Sequence, residues 1–358
     1  MGRGFENQRI AVTGASGTVG EELVRQLLWY PVKEVRALDN NESALFFIGE
    51  TYREDNRFQP FLSDVRDGAK LERMFDGIDL VFHAAAFKHV PLCERSPFDA
   101  VQTNIIGVQN VIQAALANGV KKTLFTSSDK AVNPTNVMGT SKLMGERLMT
   151  AANALRRRGD GPVFSSTRFG NVAGSRGSVI PLFCKQIELG GPVTLTNPEM
   201  TRFVMPLREA VSLVIKSMSL ARGGEVFITK MRVLRIKDLA DVMISLIAPL
   251  YGKKAGDIDI VETGERPGEK LYEELMNSEE TRRSLDTEQM FIILPAFRNI
   301  YSEMDYTYEG LSLRPVKEAY TSAQSTYMTR DEIKAFLLEA GVLPEDIRGE
   351  LLRRGSSK

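Results

Sequence analysis

The chain has 358 residues, of which 43% are hydrophobic and 26% are charged, and its 46 basic residues balance 46 acidic ones. This length allows one large or two coupled globular domains. Because the formal net charge is zero, no overall field favours nucleic acid, and a small molecule is the expected partner. Two cysteines, Cys93 and Cys184, are too few for a disulfide framework and lack metal-ligand spacing, so we expect a reducing compartment and no metal.

The N-terminal residues 1–9 are polar and lead directly into a strand, without the apolar core of a secretory signal. No window approaches the roughly 18 uninterrupted apolar residues that a membrane helix requires. The sequence therefore predicts a cytoplasmic protein without membrane insertion.

Strands alternate with helices along the first part of the chain, which predicts a parallel sheet covered on both faces. The predicted strands span residues 10–13, 35–39, 58–62, 80–84, 123–127, 163–168 and 225–229. Shorter, Gly- and Pro-marked segments follow Gly170. The predicted fold is α/β, a Rossmann-type doubly wound parallel sheet with a smaller C-terminal α/β substrate domain. We expect residues 1–170 in the NAD-binding domain, rejoined by about 205–230, and residues 171–204 and 231–358 in the substrate domain.

A glycine-rich run of the form G-x-x-G-x-x-G joins the first strand to a helix. Glycines allow a tight turn, and a helix N-terminus offers N–H groups and a positive dipole end to a pyrophosphate. The run predicts a dinucleotide site. Its predicted contacts are Gly14, Ser16, Gly17, Thr18, Val19 and Gly20. A glycine-rich turn without a ligand is the alternative that this loop alone leaves open.

Acidic residues follow the second and third strands. Asp39, with Asn40 beside it, lies about 20 residues after the loop, where a carboxylate accepts from a ribose 2′-OH and repels a 2′-phosphate. No arginine is adjacent, so NAD is favoured over NADP. Capping of the next helix is an alternative role for Asp39. Asp64 and Val65 are placed beside the adenine, with a plain helix cap as an equal alternative.

Small and polar residues follow the fourth strand. We interpret Ala84, Ala85 and Ala86 as a wall under the cofactor, because small side chains let the backbone pass close to a ligand. His83 at the strand end is more often a packed histidine than a catalyst. Lys88 and His89 leave the carboxyl end of the strand, where either can reach substrate, although a solvated loop lysine is the alternative.

The fifth strand leads into Ser128-Asp129-Lys130, an acid and a base in adjacent positions. A helix follows, on which Met138 and Lys142 share a face because they are four residues apart. A thioether is a weak acceptor and cannot carry a proton, so Met138 is no acid or base. An Asp–Lys salt bridge at the strand end is the structural alternative for Asp129 and Lys130.

Together these runs resemble the extended short-chain dehydrogenase/reductases, and within them the nucleotide-sugar 4,6-dehydratases of the polysaccharide-biosynthesis group. The resemblance extends from Thr13 to about Met276. Its carriers are His83-Ala84-Ala85-Ala86-Phe87-Lys88-His89-Val90-Pro91, the run from Ser128-Asp129-Lys130 to Asn136-Val137-Met138-Gly139, Arg168-Phe169-Gly170-Asn171-Val172, Thr201-Arg202-Phe203 and Gly264-Glu265-Arg266-Pro267-Gly268-Glu269-Lys270.

The resemblance implies a hydro-lyase with an internally recycled NAD. A 4,6-dehydratase oxidises C4, removes the C5 proton, expels the C6 hydroxyl as water and returns the hydride to C6. Asp129 fits the acid, Lys130 the base and Ser128 the partner of the C4 oxygen, while Lys142 fits the nicotinamide ribose. These roles require a partly neutral lysine and a protonated aspartate near pH 7.

Other members of the family carry tyrosine where this chain has Met138, and the methionine members resemble the branch that retains the C5 configuration. The resemblance implies UDP-N-acetylglucosamine as the substrate, with a GDP sugar left open, and a role in bacterial-type surface glycans or rare sugars. Which group takes the O4 proton is not given by the sequence.

Substrate contacts are expected from the second half of the chain. They are Asn171, Arg176, Gly177, Ser178, Val179, Arg202, Arg266 and Glu269. Arg176 is interpreted as the diphosphate clamp, with Arg202 and Arg266 as further clamps and Glu269 near the nucleotide ribose. An ordinary exposed arginine is the alternative for each.

Two other functions are weighed. A C4 epimerase or reductase shares the fold and cofactor but should keep the tyrosine, and a non-catalytic NAD-binding sensor has no reason to keep Asp129, Lys130 and Lys142 together. Amphipathic helices over residues 98–117 and 136–157 predict a homo-oligomer, a dimer or larger. The tail 301–358 contains one predicted helix, 330–340.

Overall fold

The computed structural model describes residues 4–155, 161–175, 178–264, 267–297, 304–308 and 311–355. The chain folds into two compact units. The first comprises Met1–Phe169, Val211–Lys230 and Leu275–Ala319, and the second comprises Gly170–Ala210, Met231–Glu274 and Tyr320–Lys358. Over the described ranges, no helix combines the length and the apolar character needed to cross a membrane.

Strands and helices are numbered here in chain order. The strands are β1 (Arg9–Thr13), β2 (Glu34–Asp39), β3 (Phe58–Leu62), β4 (Leu80–His83), β5 (Lys122–Thr126), β6 (Val163–Arg168), β7 (Asn171–Ala173), β8 (Val193–Leu195), β9 (Thr201–Pro206), β10 (Val226–Thr229), β11 (Arg232–Arg235), β12 (Ile260–Glu262), β13 (Glu274–Met276), β14 (Ser284–Asp286), β15 (Met290–Ile293), β16 (Arg314–Pro315) and β17 (Tyr320–Thr321). The helices are α1 (Thr18–Leu27), α2 (Glu42–Thr51), α3 (Gly68–Met74), α4 (Val90–Arg95), α5 (Pro97–Val101), α6 (Gly107–Ala117), α7 (Val137–Ala152), α8 (Val179–Leu189), α9 (Leu207–Leu220), α10 (Ile236–Ile247), α11 (Arg330–Glu339) and α12 (Glu345–Gly355).

The main sheet has the strand order β16-β14-β15-β10-β6-β5-β4-β1-β2-β3. From β3 to β10, each strand pairs with its neighbours in parallel. The strands β15, β14 and β16 then continue the sheet in antiparallel pairings. The strand order reverses beside β1, as in a doubly wound nucleotide-binding sheet. The predicted fold class, an α/β Rossmann-type parallel sheet covered by helices, is confirmed.

The centre of the first unit is packed from the sheet and the helices that follow it. Val81 and Phe125 of the sheet pack with Val108 and Val111 of α6 and Met149 of α7, and all five side chains are buried. Strands that are buried on both faces form continuous apolar runs, which is why the sequence predicted them. Burial of each such side chain contributes roughly 1.5–3 kcal/mol relative to exposure.

The predicted helix over residues 98–117 is interrupted. It consists of α5, a π-helical turn at Gln102–Ile106 and α6, and it ends at Ala117 beside Gly119, which has a φ of 63°. The predicted helix from residue 136 begins at Val137, where the Asn136 side chain accepts a hydrogen bond from Gly139 N–H at 2.8 Å. The last two residues of the predicted helix, 156 and 157, lie outside the described residues.

The second unit has its own apolar core. Phe183 of α8, Met243 of α10 and Phe336 of α11 pack together and are buried. Two small sheets accompany them, one ordered β11-β9-β7 and one that pairs β8 with β12. In the tail, α11 matches the predicted helix within one residue, and α12 is a second helix that the sequence reading missed.

The predicted domain boundaries need one correction. We expected all of 231–358 in the second domain, yet Leu275–Ala319 lies in the first unit. The reason is that β14, β15 and β16 extend the main sheet beyond β10. These strands are two to four residues long, too short for a period of two to be recognised. The predicted return near 205–230 corresponds to Val211–Lys230, and the names NAD-binding and substrate domain stay predictions.

Candidate active site

The loop between β1 and α1 has the geometry of an anion-binding turn. Gly17 N–H donates to Gly14 O at 3.1 Å, and Ala15 N–H donates to Leu38 O at 3.2 Å. Gly17 occupies the N-cap of α1 and brings no side-chain cap. The N–H groups of the first turn have no intrahelical acceptors, so Thr18 and Val19 present donors at the positive end of the helix dipole.

Gly14 is required by two independent constraints. Its φ is 70°, in the left-handed region, and a Cβ atom at this position would lie 2.6 Å from the Ala85 backbone nitrogen. Ala84 N–H donates to Thr13 O at 3.1 Å, which holds the end of β4 beside the loop. The partly exposed residues Ala84, Ala85 and Ala86 therefore lie next to the glycine loop, as the wall interpretation requires.

Asp39 is buried and organises this loop. Its Oδ2 accepts from Ser16 N–H at 2.9 Å, and its Oδ1 accepts from Asn41 N–H at 2.9 Å. The following helix, α2, is capped by the Asn41 side chain, which accepts from Ala44 N–H at 3.1 Å. The alternative role of Asp39 as a helix cap is therefore wrong, and its predicted contact with a ribose stays a prediction.

Asp64 and Asn40 lie side by side, with Asn40 Nδ2 donating to Asp64 Oδ2 at 3.2 Å. Asp64 also pairs with Arg66 at 2.6 Å, and the guanidinium lowers the pKa of that carboxyl to about 2. The Asp67 side chain caps α3, so Asp64 does not. Val65 is buried in the core, which leaves its backbone as the part that can meet an adenine.

His83 is a packed residue. It is fully buried, its Nδ1 shares a hydrogen bond with Thr13 Oγ1 at 2.7 Å, and its ring stacks on Phe125 with centroids 5.5 Å apart. Burial, assisted by the charge of Lys142, lowers the pKa of His83 to about 3. The ring is therefore neutral at ordinary pH, in agreement with its exclusion from the chemistry. Lys88 and His89 are exposed on the following segment.

Ser128, Asp129 and Lys130 form one hydrogen-bonded group at the end of β5. Ser128 Oγ donates to Asp129 Oδ1 at 2.6 Å, and Lys130 Nζ lies 3.1 Å from the same oxygen. Asp129 is 1% exposed, and among the described residues no hydrogen-bond partner reaches its buried Oδ2. The salt bridge between Asp129 and Lys130, which was the structural alternative, is present. Proton transfer would need the same short distance, so the contact fits both roles.

α7 approaches this group closely. Gly139 is buried, and a Cβ atom there would overlap the Lys130 carbonyl oxygen. Met138, one residue earlier, is 3% exposed and packs with Cys93 and Ala100. Its thioether is therefore a packing group in this structure.

Lys142 is held in place from two sides. Its Nζ donates to Thr126 O at 2.8 Å and lies 4.6 Å from the centroid of the Phe125 ring. Burial lowers the pKa of Lys142 to about 8, while Glu146 and Cys93 act in the opposite direction. The ammonium form therefore prevails at neutral pH, with an appreciable neutral fraction.

Asn104 is a site residue that sequence reasoning missed. It lies in the π-helical turn, where its Oδ1 accepts from Phe87 N–H at 2.8 Å and its Nδ2 donates to Phe87 O at 3.0 Å and to Ser141 Oγ at 2.9 Å. It thus joins the segment after β4 to α7. A buried asparagine in an apolar helix was the available signal, since π turns often mark functional sites.

Arg168 belongs to one of the motifs that carry the family resemblance, and no role was predicted for its side chain. In the structure it binds two carboxylates. Its guanidinium is buried between two carboxylates, Glu146 at 2.7 Å and Glu280 at 2.9 Å. Glu146 lies on α7, one turn after Lys142. No sequence pattern pointed to Glu280, because its partner lies 112 residues earlier.

Three of the predicted substrate residues lie close together in the sequence of the second unit, and all three are partly exposed. Asn171 begins β7, Ser178 precedes α8 and Val179 begins it. Ser178 Oγ is buried, and within the described ranges it has no hydrogen-bond partner. The predictions for Arg176, Gly177 and Arg266 lie outside the described residues.

Arg202 differs from the open clamp that we expected. It is buried, and its Nη1 donates to Thr201 O at 2.7 Å and to Leu271 O at 3.1 Å. Glu269 lies 3.5 Å and Glu273 3.7 Å from its guanidinium nitrogens. The expectation overlooked these contacts because the two carboxylates are distant in sequence. Glu269 itself stays partly exposed.

A metal centre is not evident in the described part of the chain, where no three His, Cys, Asp or Glu side chains are placed to hold an ion. The strand order, the glycine loop and the Ser128-to-Lys142 group define an α/β protein of the short-chain dehydrogenase/reductase type. The chain belongs to the family described as polysaccharide biosynthesis protein, whose model matches residues 10–295.

Several curated relatives are similar over most of this chain. An uncharacterized membrane protein of Methanocaldococcus jannaschii is 46% identical, over 95% of this chain and 98% of its own length. A UDP-glucose 4-epimerase of Rickettsia massiliae is 34% identical over 96% of this chain and 99% of its own. The capsular polysaccharide biosynthesis protein CapD of Staphylococcus aureus is 43% identical over 78% of this chain, which spans only 47% of that protein.

Two solved structures are similar to the chain. Pen from Bacillus thuringiensis is 39% identical, with a TM-score of 0.87, and the match covers 95% of this chain and all of Pen. DesIV of Streptomyces venezuelae, a dTDP-glucose 4,6-dehydratase solved with NAD bound, has a TM-score of 0.65 over 74% of this chain and 86% of its own. At 24% identity, DesIV shows the fold alone. Nucleotide-sugar dehydratases and epimerases are therefore both among the neighbours.

The close approach at Gly139 gives a stability test. We expect Gly139→Ala to lower the free energy of unfolding by about 2 kcal/mol in urea titrations, because the methyl group must displace α7 or the Lys130 carbonyl. Gly49→Ala, on helix α2, is the matched control, since the atom nearest to its added Cβ is Pro60 Cγ at 3.8 Å, an ordinary contact. We expect no loss there, because alanine is favoured over glycine in a helix by about 1 kcal/mol. An unchanged stability in Gly139→Ala would show that the approach is not tight.

His83 gives a pH test. Because its pKa is about 3 in the folded state and 6.5 ordinarily, the unfolded chain binds the extra proton as pH falls between these values. Stability is therefore lost on acidification, by about 2 kcal/mol between pH 7 and pH 5. We expect His83→Phe to remove most of this slope in urea titrations at several pH values. His89→Asn, at the exposed second histidine, should keep it, and an unchanged slope in His83→Phe would refute the assignment.

Proposed function

We propose that the chain is an NAD-dependent 4,6-dehydratase of a nucleotide-activated N-acetylglucosamine, with UDP-N-acetylglucosamine as the substrate. The product is the 4-keto-6-deoxy sugar with the C5 configuration retained, for bacterial-type surface glycans or rare sugars. The observation that carries the proposal is the contact between Asp129 and Lys130, an acid and a base that share a hydrogen bond with Ser128 nearby. Membership of the polysaccharide biosynthesis family supports it.

The residues of the first unit fit a dinucleotide. The glycine turn packed against Ala85, the donors at the start of α1 and the buried carboxylate of Asp39 match pyrophosphate and ribose. NAD, when bound, supplies the acceptor and donor of the hydride that leaves C4 and returns to C6. Asn40, Asp64 and the alanine wall are its further proposed contacts. The NAD bound in the DesIV structure supports this cofactor.

The three residues at the end of β5 account for every proton in the reaction. Ser128 Oγ takes the O4 proton and passes it along its 2.6 Å hydrogen bond to Asp129 Oδ1. Asp129 delivers that proton to the C6 hydroxyl, which leaves as water. Lys130 Nζ removes the C5 proton and returns it to the same face of the sugar, which retains the configuration. No phenol is needed for these transfers.

Lys142 has a proposed role beside the cofactor. It places an ammonium on α7, where we propose that it binds the nicotinamide ribose and favours hydride removal from C4.

The proposed substrate contacts come from both parts of the chain. Lys88 and His89 lie in the same unit as Lys142, after β4. The proposed substrate contacts of the second unit are Asn171, Arg176, Gly177, Ser178, Val179, Arg266 and Glu269. Arg202 is buried against Glu269 and Glu273, so we propose that it supports these residues rather than clamping the diphosphate itself.

The test is incubation of the purified protein with UDP-N-acetylglucosamine, followed by mass spectrometry and NMR. We expect a product lighter by one water molecule, no net consumption of NAD and an unchanged configuration at C5. Lys130→Ala should lower the rate by at least about 10²-fold, because the C5 base is lost. The control is Lys121→Ala, an exposed lysine whose partner is Asp79. Inversion at C5 would contradict the retaining assignment.

A C4 epimerase is the second candidate, favoured by the epimerase of Rickettsia massiliae among the relatives. The same incubation separates the two functions, since an epimerase yields an isomer of unchanged mass. Persistence of both UDP- and GDP-activated sugars would instead support a non-catalytic NAD-binding sensor.

Met138 gives a separate prediction. Because its side chain is packed with Cys93 and Ala100, we expect Met138→Leu to keep the rate of water loss within about threefold. Met138→Tyr should still remove water but unfold about 1–3 kcal/mol more easily, because the phenol overfills the site. The measurements are the dehydration rate and urea unfolding. A loss of more than about 100-fold in Met138→Leu would show that the thioether takes part in the reaction.

A further inference from the structure

A buried cluster of three charges joins the end of β6, helix α7 and the segment after β13. Arg168 Nε and Nη2 donate to Glu146 at 2.8 and 2.7 Å, and Arg168 Nη1 and Nη2 donate to Glu280 at 2.9 Å each. All three side chains are at most 4% exposed. One guanidinium facing two carboxylates carries a net charge of about −1, an arrangement that is costly to bury without further cations. On the side of Glu280, burial raises the pKa of the carboxyl, but the charges of Arg168 and Arg283 outweigh burial and lower it.

Lys142 is a cation on α7, the helix that carries Glu146. Glu146 follows it by four residues, so the two side chains occupy neighbouring positions on one face of the helix. Both are buried, which strengthens their interaction relative to one in water. Glu146 acts on the pKa of Lys142 in the direction that favours the ammonium, against the effect of burial. Glu280, in contrast, follows β13 and meets the guanidinium from another segment.

The remaining surroundings of Lys142 supply little opposing charge. The buried titratable or charged groups on the elements packed around it are neutral His83 at the end of β4, Cys93 on α4, Asp129 after β5, Glu146 on α7 and Arg168 on β6. Lys122 and Lys130, at the two ends of β5, are partly buried, and the remaining charged groups on these elements are exposed, namely Glu94, Arg95, Asp99 and Arg147. Asp129 and Lys130 pair with each other at 3.1 Å. Glu146 is thus the carboxylate on the helix of Lys142 that can balance its charge.

We propose that Glu146 is a positioning residue for Lys142: its carboxylate, fixed by Arg168, keeps the lysine charged and seated between Thr126 and Phe125. This inference rests on the proposed function in so far as Lys142 serves the dinucleotide. Arg168 holds both carboxylate oxygens of Glu146, so the carboxylate favours the ammonium through its charge and leaves the donors of Lys142 free for other acceptors. Lys142 keeps its donors for Thr126 O in the free protein and for a ribose hydroxyl when the cofactor is bound.

The test is the titration of Lys142 in the full-length protein without substrate or cofactor. Protein labelled with ¹³Cε-lysine is followed by NMR from pH 6 to pH 11, and Lys142→Arg identifies the resonance. We expect Glu146→Gln to move the midpoint of Lys142 down by about one pH unit, because removing one negative charge favours the neutral amine. Glu280→Gln is the matched control, since it removes a carboxylate from the same guanidinium, and the midpoint should stay in place.

Outcomes that overturn the proposal are equally direct. An unchanged midpoint in Glu146→Gln, or an equal shift in both variants, would mean that Glu146 serves only to pair Arg168. Glu146→Asp should restore the wild-type midpoint, since it keeps the charge. If Glu146→Gln is unfolded, all proteins are titrated in trimethylamine N-oxide, which favours the folded state without adding net charge. Failure to fold there, beside a folded Glu280→Gln, would assign Glu146 to folding and overturn the proposal.

The measurement is independent of the reaction. If no nucleotide sugar is dehydrated but the midpoint moves in Glu146→Gln alone, the proposed function fails and the positioning role stands. If water loss occurs but the midpoint does not move, the positioning role fails and the function stands.

Discussion

The close approach of α7 to the end of β5 is the constraint on which the site depends. Glycine at position 139 lets the helix pass against the Lys130 carbonyl, and at Gly145 a Cβ atom would lie 2.9 Å from the Phe125 ring. Two glycines in one helix cost about 1 kcal/mol each in helix propensity, so tertiary packing must hold α7 together. In return, Lys142 is brought to Thr126 O on the adjoining strand.

A site without a phenol is chemically coherent in this arrangement. The Ser128 hydroxyl and the Asp129 carboxyl are joined by a short hydrogen bond, so a proton released at one oxygen reaches the other without a further residue. Met138 then fills space that a proton carrier would otherwise occupy, and its neighbours Cys93 and Ala100 are apolar in kind. In the proposed mechanism, the position of the family's tyrosine and the path of the proton are thus separate.

Much of the first unit was predictable because its signals are local. The glycine loop, Asp39 at the end of β2 and the alternation of strands and helices are each read within a few tens of residues. Arg202 was misjudged, and Glu146 and Asn104 were missed, because their roles depend on partners that only the tertiary structure brings near. The Arg168 cluster joins residues 22 and 112 positions apart, a separation at which one sequence carries no pairing information.

The late strands of the main sheet have a consequence for how the first unit forms. Until residues 284–315 are available, β10 is an open edge with unpaired N–H and C=O groups, a surface that invites wrong pairings. Most of the second unit, residues 170–210 and 231–274, precedes them in the chain. During synthesis, therefore, the ribosome delivers the closing strands of the nucleotide-binding sheet only after most of the other unit has emerged. The segments of the two units are therefore synthesised alternately, and a chain truncated directly after β10 lacks the strands that complete the sheet.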